Sequence, residues 1–426
     1  MENKLMHPQE LIVEFMNRIY KRKLTTTSGG NLSIRDSEGN IWISPTGKDK
    51  GTLSPSDICK VYPDGRIEGN YKPSCELPFH ASVYKMRPDV NAVLHAHPGE
   101  LVSYTLFRGA PDRDTTYLPK KVCGEIGIAG YELPGSQDLA DRIVEEIKKG
   151  INVVMMENHG VTAVGSDMFE AFKRFETYND CACISMAASS LGKAFVLTDD
   201  QIALTDKKVE IEEFIPTEFS SKEKALRKEI VDITHRSYDQ KLFSCLYGTV
   251  SARVDGDNFV ITPHGADRKY LSACELVRVE DGKVEKGKVP SNAYKLHELI
   301  YKTHPEINSI IMAKPAPIMG YAVTHTEIDS RTIPESFIAM RTVKNLPFGS
   351  TITDMDKVAK EITPATPVLL IENDCVLATG KSVINAFDRV EVASFTADTI
   401  IKAKPLGNVV MITDEEVELI RTTFCM

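Results

Sequence analysis

Two histidines two residues apart, His95 and His97 in "VLHAHP", and a third, His159 in "MENHG", are the residues of this chain best suited to chemistry. Both segments are short apolar runs of strand type. Along a strand, positions i and i+2 face the same side, so His95 and His97 present two imidazoles together. A third imidazole from a neighbouring strand end completes a set of three nitrogens, which suits a tetrahedral zinc-type ion with its fourth position open. Glu76, in "KPSCELPFH", stands between a proline turn and an apolar run. Beside a metal, a carboxylate there acts as general base and acid or as a ligand that substrate displaces; away from one it caps a helix.

Internal repetition explains why these residues stand out. "GGNLSIRD" near residue 30 returns as "GTVSARVD" near 250, and "ISPTGKDKGTLSPSDICKV" (43–61) as "ITPHGADRKYLSACELVRV" (261–279). "RPDVNAVLHAHP" (87–98) returns as "HPEINSIIMAKP" (304–315), and "VVMMENHGVTAVG" (153–165) as "VLLIENDCVLATG" (368–380). The motifs keep their order, so the chain reads as two tandem copies of one domain. At the three histidine positions the second copy carries Met312, Lys314 and Asp374, and opposite Glu76 it carries Ala293. Histidines needed only for packing have no reason to vanish as a set while the apolar residues around them persist. The comparison marks His95, His97 and His159 as metal ligands and the second copy as degenerate. His80, which keeps a counterpart in His297, reads as structural.

The elements that must position these residues follow from the same pattern. Each copy opens on a helix, "PQELIVEFMNRIY" and "SSKEKALRKEIVDITHRSY", the latter with a capping-type start. Short β-branched runs separated by turns come next, including "DICKVYPDGRI" with its Pro-Asp-Gly turn, and then helical stretches such as "SQDLADRIVEEIKKG". The pattern predicts an α/β fold of two tandem αβα domains, each a mainly antiparallel sheet covered by helices. The polar stretch "TDKKVEIEEFIPTEFSSKEK" is expected to join them, giving domains at 1–210 and 220–426.

Small-residue loops precede the Glu and His motifs: "SGGN" (28–31), "SPTGK" (44–48) and "PSC" (73–75). Glycine lets backbone N–H groups approach an oxyanion, and hydroxyls or an Asn amide add donors. No GxxxxGK[ST] or GxGxxG nucleotide signature occurs.

"GGNLS", "SPTG", "PSCE", "LHAHP" and "ENHG", in this order and spacing, resemble the class II aldolase/adducin family, which includes fuculose-phosphate aldolase. The resemblance covers nearly all of the first copy, and the second with its chemistry removed. It implies Zn2+ or another divalent metal on His95, His97 and His159, with Glu76 beside it as acid/base and further ligand. It also implies a phosphate pocket from Gly30, Asn31, Thr46, Gly47, Ser74 and Cys75. Family aldolases have a second serine where this chain has Cys75, whose thiol is the weaker donor. An interfacial tyrosine assists such aldolases, and Tyr117 falls in the corresponding stretch. The implied reaction is reversible cleavage of a ketose 1-phosphate or similar sugar phosphate to dihydroxyacetone phosphate and an aldehyde, with Glu76 shuttling the C3 proton. The family also holds sugar-phosphate epimerases, dehydratases and decarboxylases on the same metal site. A glutamate at 76 favours the aldolase, because the epimerases carry Asp there and the dehydratases generally neither. A noncatalytic adducin-like scaffold is the remaining alternative, and it would have no need of Glu76 and three histidines in one copy.

Composition narrows the partners. The 426 residues carry a formal net charge of -9, which argues against nucleic acid or an anionic membrane as a partner and for a small molecule. The first residues mix charge with apolar positions, and no apolar run approaches the roughly 20 residues that span a bilayer, so the expected location is cytoplasmic. Nine cysteines without a CxxC pair read as reduced thiols. Family aldolases form fourfold rings with active sites at subunit interfaces. By that resemblance, two of these tandem chains are expected to form a homodimeric four-domain ring with active and silent domains alternating, or a higher homo-oligomer.

Overall fold

The computed structural model describes residues 5–207 and 210–424; the outermost ends of both expected domains and two residues of the expected linker lie outside the described residues. Packing divides the chain into two units, Met1–Arg113 with Leu118–Ala182 and Asp114–Tyr117 with Cys183–Met426. The change falls earlier than the polar stretch expected to mark it. Its cause is the long helix Met168–Ser189, whose late residues Ile184 and Ala188 are buried in the core of the second unit with Val250, Ile311 and Phe387.

The first unit is built on an eight-stranded sheet. Its strands are β1 (Asn31–Arg35), β2 (Ile41–Ile43), β3 (Cys59–Val61), β4 (Ile67–Glu68), β5 (Ala92–Ala96), β6 (Ile126–Ala129), β7 (Val153–Met156) and β8 (Gly160–Gly165). They lie in the order β4-β3-β2-β1-β5-β8-β7-β6, antiparallel throughout except for β6 beside β7. Phe79 and Val83 of the helix Leu77–Met86 meet Leu139 and Ile143 of Gln137–Ile147 over Val93, Val154 and Val164 of the sheet. The central strand β5 is buried at all five positions, which is why it reads as a continuous apolar run instead of an alternating one. The leading helix, Pro8–Lys21, starts as a capping box. The His7 side chain accepts from the Gln9 amide, Glu10 returns to the His7 amide, and Pro8 fills a position that needs no donor.

The second unit follows the same path. Its strands are β9 (Glu213–Phe214), β10 (Thr249–Asp255), β11 (Asn258–Ile261), β12 (Val277–Glu280), β13 (Lys283–Glu285), β14 (Ser309–Ala313), β15 (Val343–Leu346), β16 (Val368–Ile371) and β17 (Cys375–Gly380). The order β15-β16-β17-β14-β10-β11-β12-β13-β9 repeats that of the first sheet strand for strand, with β10 in the role of β1, β14 in that of β5 and β17 in that of β8. The parallel pair recurs as β15 beside β16. The one addition is β9, drawn from the stretch expected to be a plain linker, which runs parallel to β13 at the sheet edge. The helix Ser221–Asp239 then opens with the Ser220 hydroxyl accepting from the Glu223 amide. No helix among the described residues is long and apolar enough to cross a membrane.

Register is what the two sheets lend to the site. In the first, Asn31 of β1 lies opposite His95 of β5; in the second, Thr249 of β10 lies opposite Met312 of β14.

Candidate metal centre

His95 is the fourth residue of β5, and His97 follows its last residue. Their Nε2 atoms are 3.0 Å apart. The carbonyl of Val161 on β8 lies 3.1 Å from His95 Nδ1. A carbonyl only accepts, so Nδ1 carries the proton and the Nε2 lone pair is left to point into the site. His159 stands in the tight turn between β7 and β8, after Asn158 at a left-handed φ of 51°. Its ring centroid is 4.8 Å from that of His95 and 5.1 Å from that of His97. The ligand atoms of the three lie within 4.8 Å of one another, and among the described residues no other group of three such side chains is gathered in this way. Two glycines permit the approach. A Cβ on Gly160 would meet His97 Cδ2 at 2.5 Å, and one on Gly30, at φ 75°, would meet the His95 carbonyl at 2.7 Å.

Burial first, and then the neighbouring imidazoles, hold His95 well below the ordinary histidine range. Burial also lowers His97 and His159, against the pull of the Glu76 carboxylate. All three are therefore neutral near pH 7, the state in which an imidazole can hold a metal. Glu76 is only 5% exposed; its Oε2 lies 3.4 Å from His95 Nε2 and its Oε1 3.5 Å from His159 Nε2. Oε1 is buried without a hydrogen-bond partner, and so is His159 Nδ1. Orphaned polar atoms of this kind are costly in a protein interior. A divalent cation among three imidazole nitrogens and a carboxylate oxygen would relieve the carboxylate, and the donor set fits a zinc-type centre.

Glu76 occupies the residue before the helix Leu77–Met86 but makes no capping hydrogen bond. Its carboxylate is held from the sheet instead. Asn31 Nδ2 donates to Glu76 Oε2 at 2.7 Å, and Asn31 Oδ1 accepts from His80 Nε2 at 2.5 Å. His80 Nδ1 accepts from the Ser33 hydroxyl at 2.6 Å, and the Ser33 oxygen is 2.7 Å from the Tyr84 hydroxyl. Burial keeps His80 neutral and Tyr84 protonated, so the chain of donors has one direction, ending on Glu76. Ser33, His80 and Tyr84 recur as Ser251, His297 and Tyr301 with matching contacts of 2.7 Å and 2.7 Å. Asn31 and Glu76 do not recur. Their joint replacement by Thr249 and Ala293 is the signal in the repeat that ties Asn31 to Glu76, and reading the sequence motif by motif passes over it.

The other candidate residues gather partly. The loops 44–47 and 73–75 lie side by side through a bridge between Pro45 and Pro73, with the Ser74 amide donating to the Ser44 carbonyl at 3.1 Å. Thr46, Gly47 and Cys75 are exposed and Ser74 is buried. Asn31 is turned to Glu76 and His80, so both polar atoms of its side chain are engaged within the protein. Tyr117 opens the helix Tyr117–Cys123 and packs with the second unit, where Lys314 Nζ lies 4.1 Å from its ring centroid.

In the second unit Lys314, at the position of His97, pairs with Asp374, at the position of His159, across 2.9 Å. The ammonium is flanked by the rings of Tyr117 and Tyr247, 4.1 and 4.2 Å away. Met312, at the position of His95, has its sulfur 3.4 Å from His297 Nε2. An ion pair and a thioether thus fill the volume that three imidazoles line in the first unit.

Comparison with known proteins agrees with the repeat. Residues 10–186 and again 228–401 match the family described as Class II Aldolase and Adducin N-terminal domain. Over 199 residues, 46% of this chain and 93% of the relative, the chain is 29% identical to 3-oxo-tetronate 4-phosphate decarboxylase of Haemophilus influenzae. Over 181 residues, 42% of this chain and 96% of the relative, it is 31% identical to L-fuculose phosphate aldolase of Methanococcus maripaludis. Over 209 residues, 48% of this chain and 97% of the relative, it is 32% identical to 5-deoxy-D-ribulose 1-phosphate aldolase of Bacillus thuringiensis.

Proposed function

The chain belongs to the class II aldolase and adducin family, and we propose that its first domain is a divalent-metal-dependent aldolase. It would reversibly cleave a ketose 1-phosphate or similar sugar phosphate to dihydroxyacetone phosphate and an aldehyde. The observation that carries this reading is Glu76, a buried carboxylate with one unpartnered oxygen 3.5 Å from His159 in a pocket of neutral imidazoles. The relatives named as aldolases of fuculose phosphate and 5-deoxyribulose 1-phosphate support the substrate class.

His95, His97 and His159 would hold the ion, zinc by its donor set, which when bound supplies Lewis acidity to the substrate's carbonyl oxygen. The remaining work falls to the chain's own groups. Asn31 fixes Glu76 Oε2, so Oε1 is the atom that takes the proton from the carbon beside the carbonyl, or returns it. The dry surroundings of His95 and Glu76 strengthen every charge interaction that develops there. Thr46, Gly47, Ser74 and Cys75 would meet the phosphate with hydroxyl, thiol and backbone donors. The second domain, with Ala293, Met312, Lys314 and Asp374 at the corresponding positions, is assigned no catalysis, and the assembly proposed is a homodimer.

A retro-aldol screen over ketose 1-phosphates, run metal-replete beside Glu76→Ala, tests the reading. Aldehyde and dihydroxyacetone phosphate should appear with the wild-type chain and fall by about 100-fold or more in the variant. Carbon dioxide released from 3-oxo-tetronate 4-phosphate, without aldol cleavage of any ketose phosphate, would replace the aldolase with a decarboxylase. Activity that survives Glu76→Ala removes Glu76 from the mechanism. A strictly monomeric mass in solution contradicts the dimer.

A further inference from the structure

Lys50 is 3% exposed, and among the described residues its ammonium has one hydrogen-bond partner, the Pro45 carbonyl at 2.8 Å. Among the described residues no carboxylate pairs with it. Those nearest in sequence are engaged elsewhere: Asp49 accepts from the Gly51 amide and the Thr52 hydroxyl of its own turn, and Asp57 from Ser54 and from Lys48. A buried ammonium without counter-charge is expensive, and burial accordingly pulls Lys50 below the ordinary lysine value, with only the Cys75 thiol opposing.

The position of Lys50 says where the missing charge belongs. Its amide donates to the Thr27 carbonyl beside the first small-residue loop, its ammonium meets Pro45 in the second, and its electrostatic neighbour Cys75 lies in the third. It therefore touches the second loop, adjoins the first and lies within electrostatic reach of the third. The second copy supplies the contrast. There the matching residue is Arg268, equally buried, whose guanidinium spends its donors on the carbonyls of Gly248 at 2.6 Å, Ala266 at 2.7 Å and Pro263 at 2.9 Å. That cation is tied into the scaffold, whereas two of the three Lys50 ammonium donors have no hydrogen-bond partner among the described residues.

We propose that Lys50 is the cation of the substrate's phosphate pocket and a determinant of specificity for phosphorylated substrates, the anion supplying the counter-charge that the protein withholds. This rests on the sugar-phosphate reading of the same site. Its test uses the full-length chain, with inorganic phosphate as probe at fixed ionic strength. Phosphate should raise the thermal midpoint of the wild type relative to chloride. Lys50→Met should abolish that rise and weaken phosphate binding about tenfold or more, the scale of a hydrogen bond to a charged group. Lys50→Gln, which keeps a donor for Pro45 without the charge, should behave in the same way. If neither variant folds, the wild type carries the test: phosphate must slow acetylation of Lys50 by acetic anhydride, read by mass spectrometry, while leaving Lys48 unchanged.

Phosphate binding within twofold of wild type in either folded variant, no phosphate response in the wild type, or equal acetylation rates overturns the assignment. The two readings fail separately. Ketose phosphate cleavage with an unchanged KM in Lys50→Met sinks the role of Lys50 and spares the aldolase. Lys50-dependent phosphate binding without cleavage of any sugar phosphate does the reverse.

Discussion

Asn31 Nδ2 lies 2.7 Å from Glu76 Oε2, and the second copy has lost both residues together, to Thr249 and Ala293. An amide that touches only a carboxylate oxygen, and is itself held by His80, acts on chemistry through Glu76. Replacement of Asn31 by Ala should lower kcat/KM for the best ketose phosphate by about 10- to 100-fold, the usual cost of losing a group that orients a ligand or base. The loss should fall on kcat, with KM within about twofold of the wild-type value, because Asn31 touches the base and not the substrate. A kcat within about twofold of wild type would leave Asn31 without this role.

Metal stoichiometry separates the two copies. Elemental analysis of the metal-replete chain should give one divalent ion per chain, because among the described residues only the first copy gathers three imidazoles. His159→Ala and His95→Ala should each drop it to a substoichiometric level and abolish cleavage. Two ions per chain would show that the second copy is not silent.

The Lys314–Asp374 pair is nearly excluded from solvent, with side chains 8% and 10% exposed. Truncating one partner of a buried pair leaves the other charge uncompensated, and Lys314→Ala should cost about 3–5 kcal/mol in urea unfolding of the second domain. Converting both, Lys314→Met with Asp374→Asn, should recover most of that loss. A single-variant cost below about 1 kcal/mol would mean that water reaches the pair.

His297 carries a pH dependence whose sign is fixed by burial. Its folded value is depressed to about 3, while in the unfolded chain it titrates near 6.5. Above about pH 6.5 both states are neutral there and stability is unaffected. Between about 6.5 and 3 the unfolded chain takes up a proton that the folded domain refuses, so stability falls as pH falls, by up to about 1.4 kcal/mol per unit for one proton. His297→Gln should remove that part of the slope in denaturant titrations between pH 4 and 7. An identical slope in the variant would assign the acid sensitivity to other groups.

Much of this was legible in the sequence because the chain contains its own comparison. His95, His97 and His159 differ from Met312, Lys314 and Asp374 in residue type alone, and type is what a metal selects. The tandem sheets were legible because apolar strands and capped helices are local signals. What stayed hidden depends on register and packing. Asn31 meets Glu76 only because β1 and β5 set Asn31 opposite His95. Tyr117 lies in a stretch without apolar periodicity, and its neighbours Lys314 and Tyr247 are far along the chain. The packing units divide earlier than the polar stretch because polarity marks exposed chain, whereas Ile184 and Ala188, inside an uninterrupted helix, decide which core that helix ends in.

The ammonium of Lys314 has a consequence for how the two halves respond to their surroundings. A charge carried on a side chain cannot be chelated, diluted or exchanged for a competing ion. The second domain keeps a positive charge at the position of His97 by covalent bond, whereas on the metal-dependent reading proposed above the first would have to acquire one from outside. A chelator would therefore address one half of the molecule, and the other half would report, in the same tube, what the fold does without it.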